Sequence, residues 1–169
     1  NFIGNPNKRI QEDYLRILRY VRFFLGYSKQ KHKPDTIKFI KMNLDGITKL
    51  SKERLVDELK KILNMKILHN LSKDKFSKEI IEIVFPELKH FKIFFNLNSY
   101  AKKLVNEVDF IFLISLLVID ETDNTDYFLY KFNLSKKDQK RIKSLDDFYK
   151  EKILSKKLTK KELNKIFYY

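Results

Sequence analysis

Apolar residues recur three and four positions apart along most of this chain, and that spacing constrains the fold more than any other feature. The clearest case is Ile10, Tyr14, Leu15, Ile17, Leu18, Val21 and Leu25, which fall on one stripe of a single long helix over residues 7–25. Asn5 can cap that helix, Pro6 suits its first turn, and Gly26 suits its C-terminal stop. No stretch of useful length alternates apolar and polar residues as a strand would. Gly and Pro, three of each, are too scarce for a turn-rich β protein. The expectation is an all-α fold, entered by Phe2-Ile3-Gly4-Asn5 as the end of a strand running into a turn.

Pro34 opens a second helix to about Asn43, and Asp45-Gly46 reads as a turn. Ser51 caps a third helix to about Asn64, with Leu55, Leu59, Ile62 and Leu63 on one face. Further helices are expected near 74–84, 86–95, 98–106, 108–119, 123–132, 135–146 and 159–167, with Ser135 and Thr159 as N-caps and a break at Phe85-Pro86. The result is an irregular array of about eight or nine helices. The longest apolar run, Phe110 to Ile119, has the length of a buried helix and falls short of a membrane span.

Several chemistries drop out. The absence of Cys removes disulfides and Cys-based zinc sites. His32, His69 and His90 lie far apart without ligand spacing, so no metal site is expected. Asp120-Glu121-Thr122-Asp123 is acidic but reads as a solvated turn. There is no Gly-rich phosphate loop and no signal peptide, and the chain is expected to be soluble and cytoplasmic, with no membrane partner.

The formal charge of +14 is unevenly placed. Residues 1–33 hold eight Lys/Arg against two Asp/Glu, residues 131–169 hold thirteen against five, and the middle is neutral. Cationic ends suit a polyanion such as RNA, through phosphate neutralisation and counterion release. Lys136, Lys137, Lys140, Arg141 and Lys143 form a candidate phosphate-contact surface, with a solvated basic tail as the alternative.

Arginine is more selectively placed than lysine. Four of the six arginines lie within residues 9–22, and Asp13, Arg16, Arg19 and Arg22 follow one another at steps of three. On one continuous helix these side chains trace a shallow spiral in which neighbours touch. Where Lys is the default cation, Arg suggests a need for its planar, multi-donor fork. An ordinary surface ion pair beside a helix N-terminus is the plain alternative.

The run Glu12-Asp13-Tyr14-Leu15-Arg16, continued by Leu18-Arg19 and Arg22-Phe23, resembles the helix that follows the catalytic head in class II nucleotidyltransferases. These are the tRNA CCA-adding enzymes and their bacterial poly(A) polymerase relatives. Ile3-Gly4-Asn5-Pro6 resembles the end of the head's last strand, and Ser51-Lys52-Glu53-Arg54-Leu55 with Asp57-Glu58-Leu59 resembles the neck motif that buttresses the nucleotide-reading helix. Weaker likenesses occur at Phe85-Pro86-Glu87-Leu88 and Leu134-Ser135.

The resemblance implies that residues 1–6 close a head domain, 7–65 form the neck, and 66–169 form a helical body that binds RNA. It implies a nucleotide site of Glu12, Asp13, Arg16, Arg19 and Arg22. Asp13 and Arg16 would hydrogen-bond the Watson–Crick edge of CTP or ATP, and Glu12 would orient Arg16. The partners implied are the tRNA 3′ end, nucleoside triphosphates and an N-terminal head, on the same or a separate chain. That head would hold catalytic Mg2+, since no Asp-x-Asp after Gly-Ser occurs here. No catalytic residue is therefore expected in this chain, which alone should be inactive. Its start inside a family strand suggests truncation. The alternatives are a poly(A) polymerase fragment and a standalone helical RNA-binding or protein-interaction module.

Overall fold

The computed structural model describes residues 3–95 and 97–153. Among them there is no strand, and the chain is an irregular array of α-helices, as the apolar spacing predicts. Ile3 and Gly4 form a bend with Gly4 at φ +83°, so the expected strand end is not seen there.

The expected helix over 7–25 is two helices. Helix α1 spans Pro6–Glu12 and starts as expected, with Asn5 Oδ1 accepting the Lys8 N–H at 3.2 Å. It stops at Asp13, whose backbone is extended (φ −157°, ψ 103°). The Asp13 carboxylate then accepts the Leu15 N–H at 3.2 Å, at the start of α2, Leu15–Tyr27. A short polar side chain that bonds the following backbone competes with helix continuation. Apolar spacing cannot register such a break, because Ile10, Leu15, Ile17, Leu18 and Val21 are buried on both sides of it.

Gly26 does not end α2. It lies buried inside the helix, and Ser28 is the C-cap, its N–H bonded to Phe24 O at 2.9 Å. Helices α3 (Pro34–Met42) and α4 (Lys52–Ile62) match expectation, Ser51 capping the latter. Between them Leu44–Lys49 is a 3₁₀ helix rather than a simple turn. Its Gly46 is required by packing: a Cβ there would lie 2.1 Å from Tyr14 Cε1, so the Tyr14 ring rests against bare backbone.

Sequence spacing missed α5, Met65–Leu71, a short helix capped by Asn64 Oδ1 on the Ile67 N–H at 3.1 Å. Asn70 Nδ2 ties it to the end of α2 through Leu25 O at 2.6 Å. Helix α6 (Lys75–Val84) follows Asp74 as N-cap. The helix expected over 86–95 reduces to a 3₁₀ turn at Phe91–Phe94, and the Lys89 N–H is shared between Glu87 O at 3.0 Å and Leu117 O at 2.8 Å rather than given to a carbonyl four residues back. Then come α7 (Ser99–Glu107), α8 (Phe110–Val118), α9 (Asn124–Phe132) and α10 (Lys136–Phe148), capped by Ser135 as expected. The Thr159 cap and the helix over 159–167 lie outside the described residues.

Contacts divide the chain into two compact units, Asn1–Pro86 with Phe91–Glu107, and Glu87–His90 with Val108–Tyr169. The first buries Ile17, Leu18, Ile40, Leu59, Ile62, Leu68, Ile80 and Phe85. The second buries Ile114, Leu117, Val118, Phe128, Phe132 and Ile142. There Asn124 Nδ2 donates to Glu87 O (2.9 Å) and Val118 O (2.7 Å), and Lys131 Nζ meets the buried Glu87 carboxylate at 2.6 Å. No described helix is long and apolar enough to cross a membrane.

Candidate nucleotide and RNA site

Helix α2 has two chemically distinct faces. Leu15, Ile17, Leu18, Val21 and Leu25 face the core. Arg16, Arg19, Tyr20, Phe23 and Tyr27, related by steps of three and four, share the other side. All five line an open cleft of about 570 Å3, together with Arg9, Phe24 and residues Ser28, Gln30, Lys31 and Lys33 of the following loop. Five cations and four aromatic rings therefore surround one cavity, and no carboxylate is among its lining residues.

Arg16 is held at the cleft by two acceptors. Its Nη1 donates to Glu12 Oε2 at 2.6 Å and to Arg9 O at 2.5 Å. Glu12 also takes Arg9 Nη1 at 2.6 Å. The Arg16 hydrogen bond, with the charges of Arg9 and Arg16, holds the Glu12 carboxyl below its ordinary range against a smaller opposing effect of burial.

Asp13 and Arg22 turn toward α4 instead. Arg54 Nη2 donates to both Asp13 oxygens, at 2.9 and 3.0 Å. Arg22 Nε meets Glu58 Oε1 at 2.5 Å, where Glu58 is 1 % exposed, and the Arg22 guanidinium also covers the Phe23 ring at 4.2 Å. Arg19 stands between the two groups, its Nη1 3.7 Å from Asp13 Oδ2 and its Nε 4.0 Å from Glu58 Oε2. Arg16 and Arg19 thus open to the cleft, whereas Asp13 and Arg22 bind this edge of α2 to the neighbouring helix. The resemblance gave Arg54 and Glu58 only a share in the motif block that buttresses the reading helix, and placed neither in the nucleotide site. Their signal there was only the acidic and basic pattern of the second motif block.

The loop after α2 is pinned from behind. The imidazole of His32 makes two hydrogen bonds, Nδ1 with Tyr20 Oη and Nε2 with Asp74 Oδ2, each 2.8 Å. It stacks on Phe24 at 3.5 Å and meets the Phe76 edge at 4.8 Å. Burial raises the Tyr20 phenol to about 12, helped by the Asp74 charge. Burial also pushes the Asp74 carboxyl up, but hydrogen bonds from Ser77 and His32 outweigh it and leave Asp74 below its ordinary value.

In the second unit the basic stretch is partly neutralised. Arg141 pairs with Asp109 at 2.6 Å and Lys143 with Asp126 at 2.5 Å, while Lys136, Lys137 and Lys140 are exposed. Asp120 accepts the Thr122 N–H and hydroxyl at 2.8 and 2.7 Å, an Asx turn leading into α9. Among the described residues no group of three or more His, Asp or Glu could hold a metal ion.

Residues 32–92 match the family described as "Probable RNA and SrmB-binding site of polymerase A". Over 65 residues the chain is 51% identical to the human mitochondrial CCA tRNA nucleotidyltransferase 1, covering 37% of this chain and 15% of the human protein. Over 169 residues it is 28% identical to the CCA-adding enzyme of Staphylococcus haemolyticus, covering 99% of this chain and 38% of that enzyme. These likenesses are to CCA-adding nucleotidyltransferases and, over residues 32–92, to a polymerase A family. The zebrafish mitochondrial CCA tRNA nucleotidyltransferase 1 shows the same likeness, 47% over 64 residues. The chain spans well under half the length of each of these nucleotidyltransferases.

Proposed function

We propose that this chain is the base-selecting and RNA-holding part of a tRNA CCA-adding nucleotidyltransferase. The observation that carries the proposal is the Arg16 guanidinium, fixed by Glu12 and the Arg9 carbonyl, opening into a cleft lined by cations and aromatic rings. A fixed guanidinium donates to ring nitrogens and carbonyls of a nucleobase without an ordering cost at the moment of binding.

Asp13 would supply the complementary acceptor. Its Oδ1 already accepts Arg54 and Leu15, whereas Oδ2 accepts Arg54 alone and keeps a lone pair on the Arg19 side for an exocyclic amino group of CTP or ATP. Arg19 serves the nucleotide from within the cleft, and Arg22 serves it indirectly, through its grip on Glu58. The cleft offers Mg2+ no carboxylate, and the described residues do not fit the ion. The metal-holding carboxylates of nucleotide addition are assigned to a head domain outside this chain.

The test joins this region to such a head and measures CTP against ATP incorporation on tRNA lacking its 3′ end. Asp13→Ala and Arg16→Ala are each expected to lower base discrimination by about 1–3 kcal/mol, roughly 5- to 150-fold. Unchanged selectivity in both variants overturns the templating assignment. The family description naming polymerase A favours a second reading, a poly(A) polymerase, which predicts ATP incorporation with no use of CTP at any stage.

A further inference from the structure

One oxygen of the buried Glu58 carboxylate has no hydrogen-bond donor among the described residues. Oε1 takes Arg22 Nε, and Oε2 is the oxygen left over. A buried acceptor gives up water and needs a donor in return, so this oxygen calls for one in another state of the molecule. Two cations stand short of it, Lys61 Nζ at 3.7 Å and Arg19 Nε at 4.0 Å. Lys61 lies one turn along Glu58's own helix and is 58% exposed. An ammonium holds its water tightly, whereas a guanidinium gives it up at less cost, so Arg19 is the better donor for a dry oxygen.

Arg19 is also the arginine of this cluster without a settled partner. Arg9, Arg16, Arg22 and Arg54 each donate a hydrogen bond to a carboxylate. Arg19 instead stands with Nη1 3.7 Å from Asp13 Oδ2 and Nε 4.0 Å from Glu58 Oε2. A charge-assisted hydrogen bond is about 2.8 Å long, so either contact closes by a shift of about 1 Å. One guanidinium therefore lies between two carboxylate oxygens, one partly exposed and one buried, and is bonded to neither.

We infer that Glu58 is a specificity-determining positioning residue, which draws Arg19 away from Asp13 when the amino group of cytosine or adenine takes Asp13 Oδ2. The inference rests on the reading of Asp13 as the acceptor for that group. An amino N–H and a guanidinium are both donors, so they compete for the same lone pair. A vacant acceptor at Glu58 settles the competition in favour of the base. Uracil carries a carbonyl where cytosine carries its amino group. A carbonyl cannot donate to Asp13, so with that base Arg19 stays where it is.

The test is an NMR titration of this chain, labelled at its six arginines, with CTP and separately with UTP. The Arg19 Nε–H signal is assigned by its loss in Arg19→Met. CTP should slow exchange of that proton with water about 3- to 10-fold, and UTP should leave it unchanged. Glu58→Gln keeps an oxygen for Arg22 and removes the charge that draws Arg19. It should lower the ratio of CTP to UTP affinity about 3- to 10-fold and add nothing in the Arg19→Met background. Lys61→Ala should leave the ratio as in the parent. The inference is overturned if CTP does not move the Arg19 signal, if UTP moves it equally, or if Glu58→Gln weakens both nucleotides alike. The parent titration decides the matter alone should Glu58→Gln not fold. Asp13→Ala separates the two readings. If it leaves the ratio intact, base selection by Asp13 and the inference fall together; if it abolishes the ratio while CTP leaves Arg19 unmoved in the parent, only the inference falls.

Discussion

Arg54 donates the same Nη2 nitrogen to both carboxylate oxygens of Asp13, which precedes it by 41 residues. The contact joins the two motif blocks of the sequence at the point where α1 ends and α2 begins. One Asp13 oxygen also accepts the Leu15 N–H, so a single carboxylate terminates one helix, starts the next and anchors both to α4.

Because Arg54 is 45% exposed, this pair should matter more for geometry than for stability. Asp13→Asn and Arg54→Ala, singly and together, should give a coupling energy below about 1 kcal/mol in urea unfolding. In nucleotide selection by the head-joined protein, Arg54→Ala should reproduce part of the loss seen for Asp13→Ala. Full selectivity in Arg54→Ala would show that Asp13 needs no such anchor.

The Arg22–Glu58 pair is the opposite case. Glu58 is almost fully buried, and its Oε2 has Lys61 Nζ at 3.7 Å and Arg19 Nε at 4.0 Å but no hydrogen-bond donor among the described residues. Removing Arg22 leaves a buried carboxylate without its close partner. Arg22→Ala should destabilise by about 3 kcal/mol, whereas the double change Arg22→Met with Glu58→Leu should cost much less. Denaturant midpoints of the three proteins check this, and equal losses would refute it.

Gly46→Ala should destabilise by about 1–3 kcal/mol, since the added methyl falls on the Tyr14 ring. Pairing it with Tyr14→Ala should recover part of the loss, because the clash then disappears. Thermal melts of the single and double variants suffice, and additive losses would place the strain elsewhere.

Tyr20 should be among the last tyrosines to ionise. Its folded value of about 12 exceeds the ordinary 10.0, so the stability linked to the neutral phenol is complete below pH 10 and is lost as pH rises toward about 12. Absorbance titration of the parent against Tyr20→Phe should assign the late step to this residue. Asp74 has the opposite sign: its folded value is below the ordinary 3.8, so its contribution is present above that pH and is lost as pH falls through the folded value. Asp74→Asn should flatten the acid limb of the stability curve.

Helix content, most helix starts and the two motif blocks were legible in the sequence, because capping and apolar spacing are local properties. Asn5, Ser51 and Ser135 each cap the helix expected of them. The break at Asp13 was not legible, since the apolar stripe runs through it in phase. Nor were the Gly46 contact with Tyr14, the Lys89 bond to Leu117, or the burial of His32 between Tyr20 and Asp74, all of which depend on residues distant in sequence.

The candidate site divides along the same line. Composition and spacing were enough to place Asp13, Arg16, Arg19 and Arg22 along one segment. Only the tertiary structure decided which of them open to the cleft, because a guanidinium or carboxylate goes to the counter-charge within reach. Glu12 sits one turn away on Arg16's own side, while Arg54 and Glu58 are brought in by the packing of α4 and draw Asp13 and Arg22 toward it.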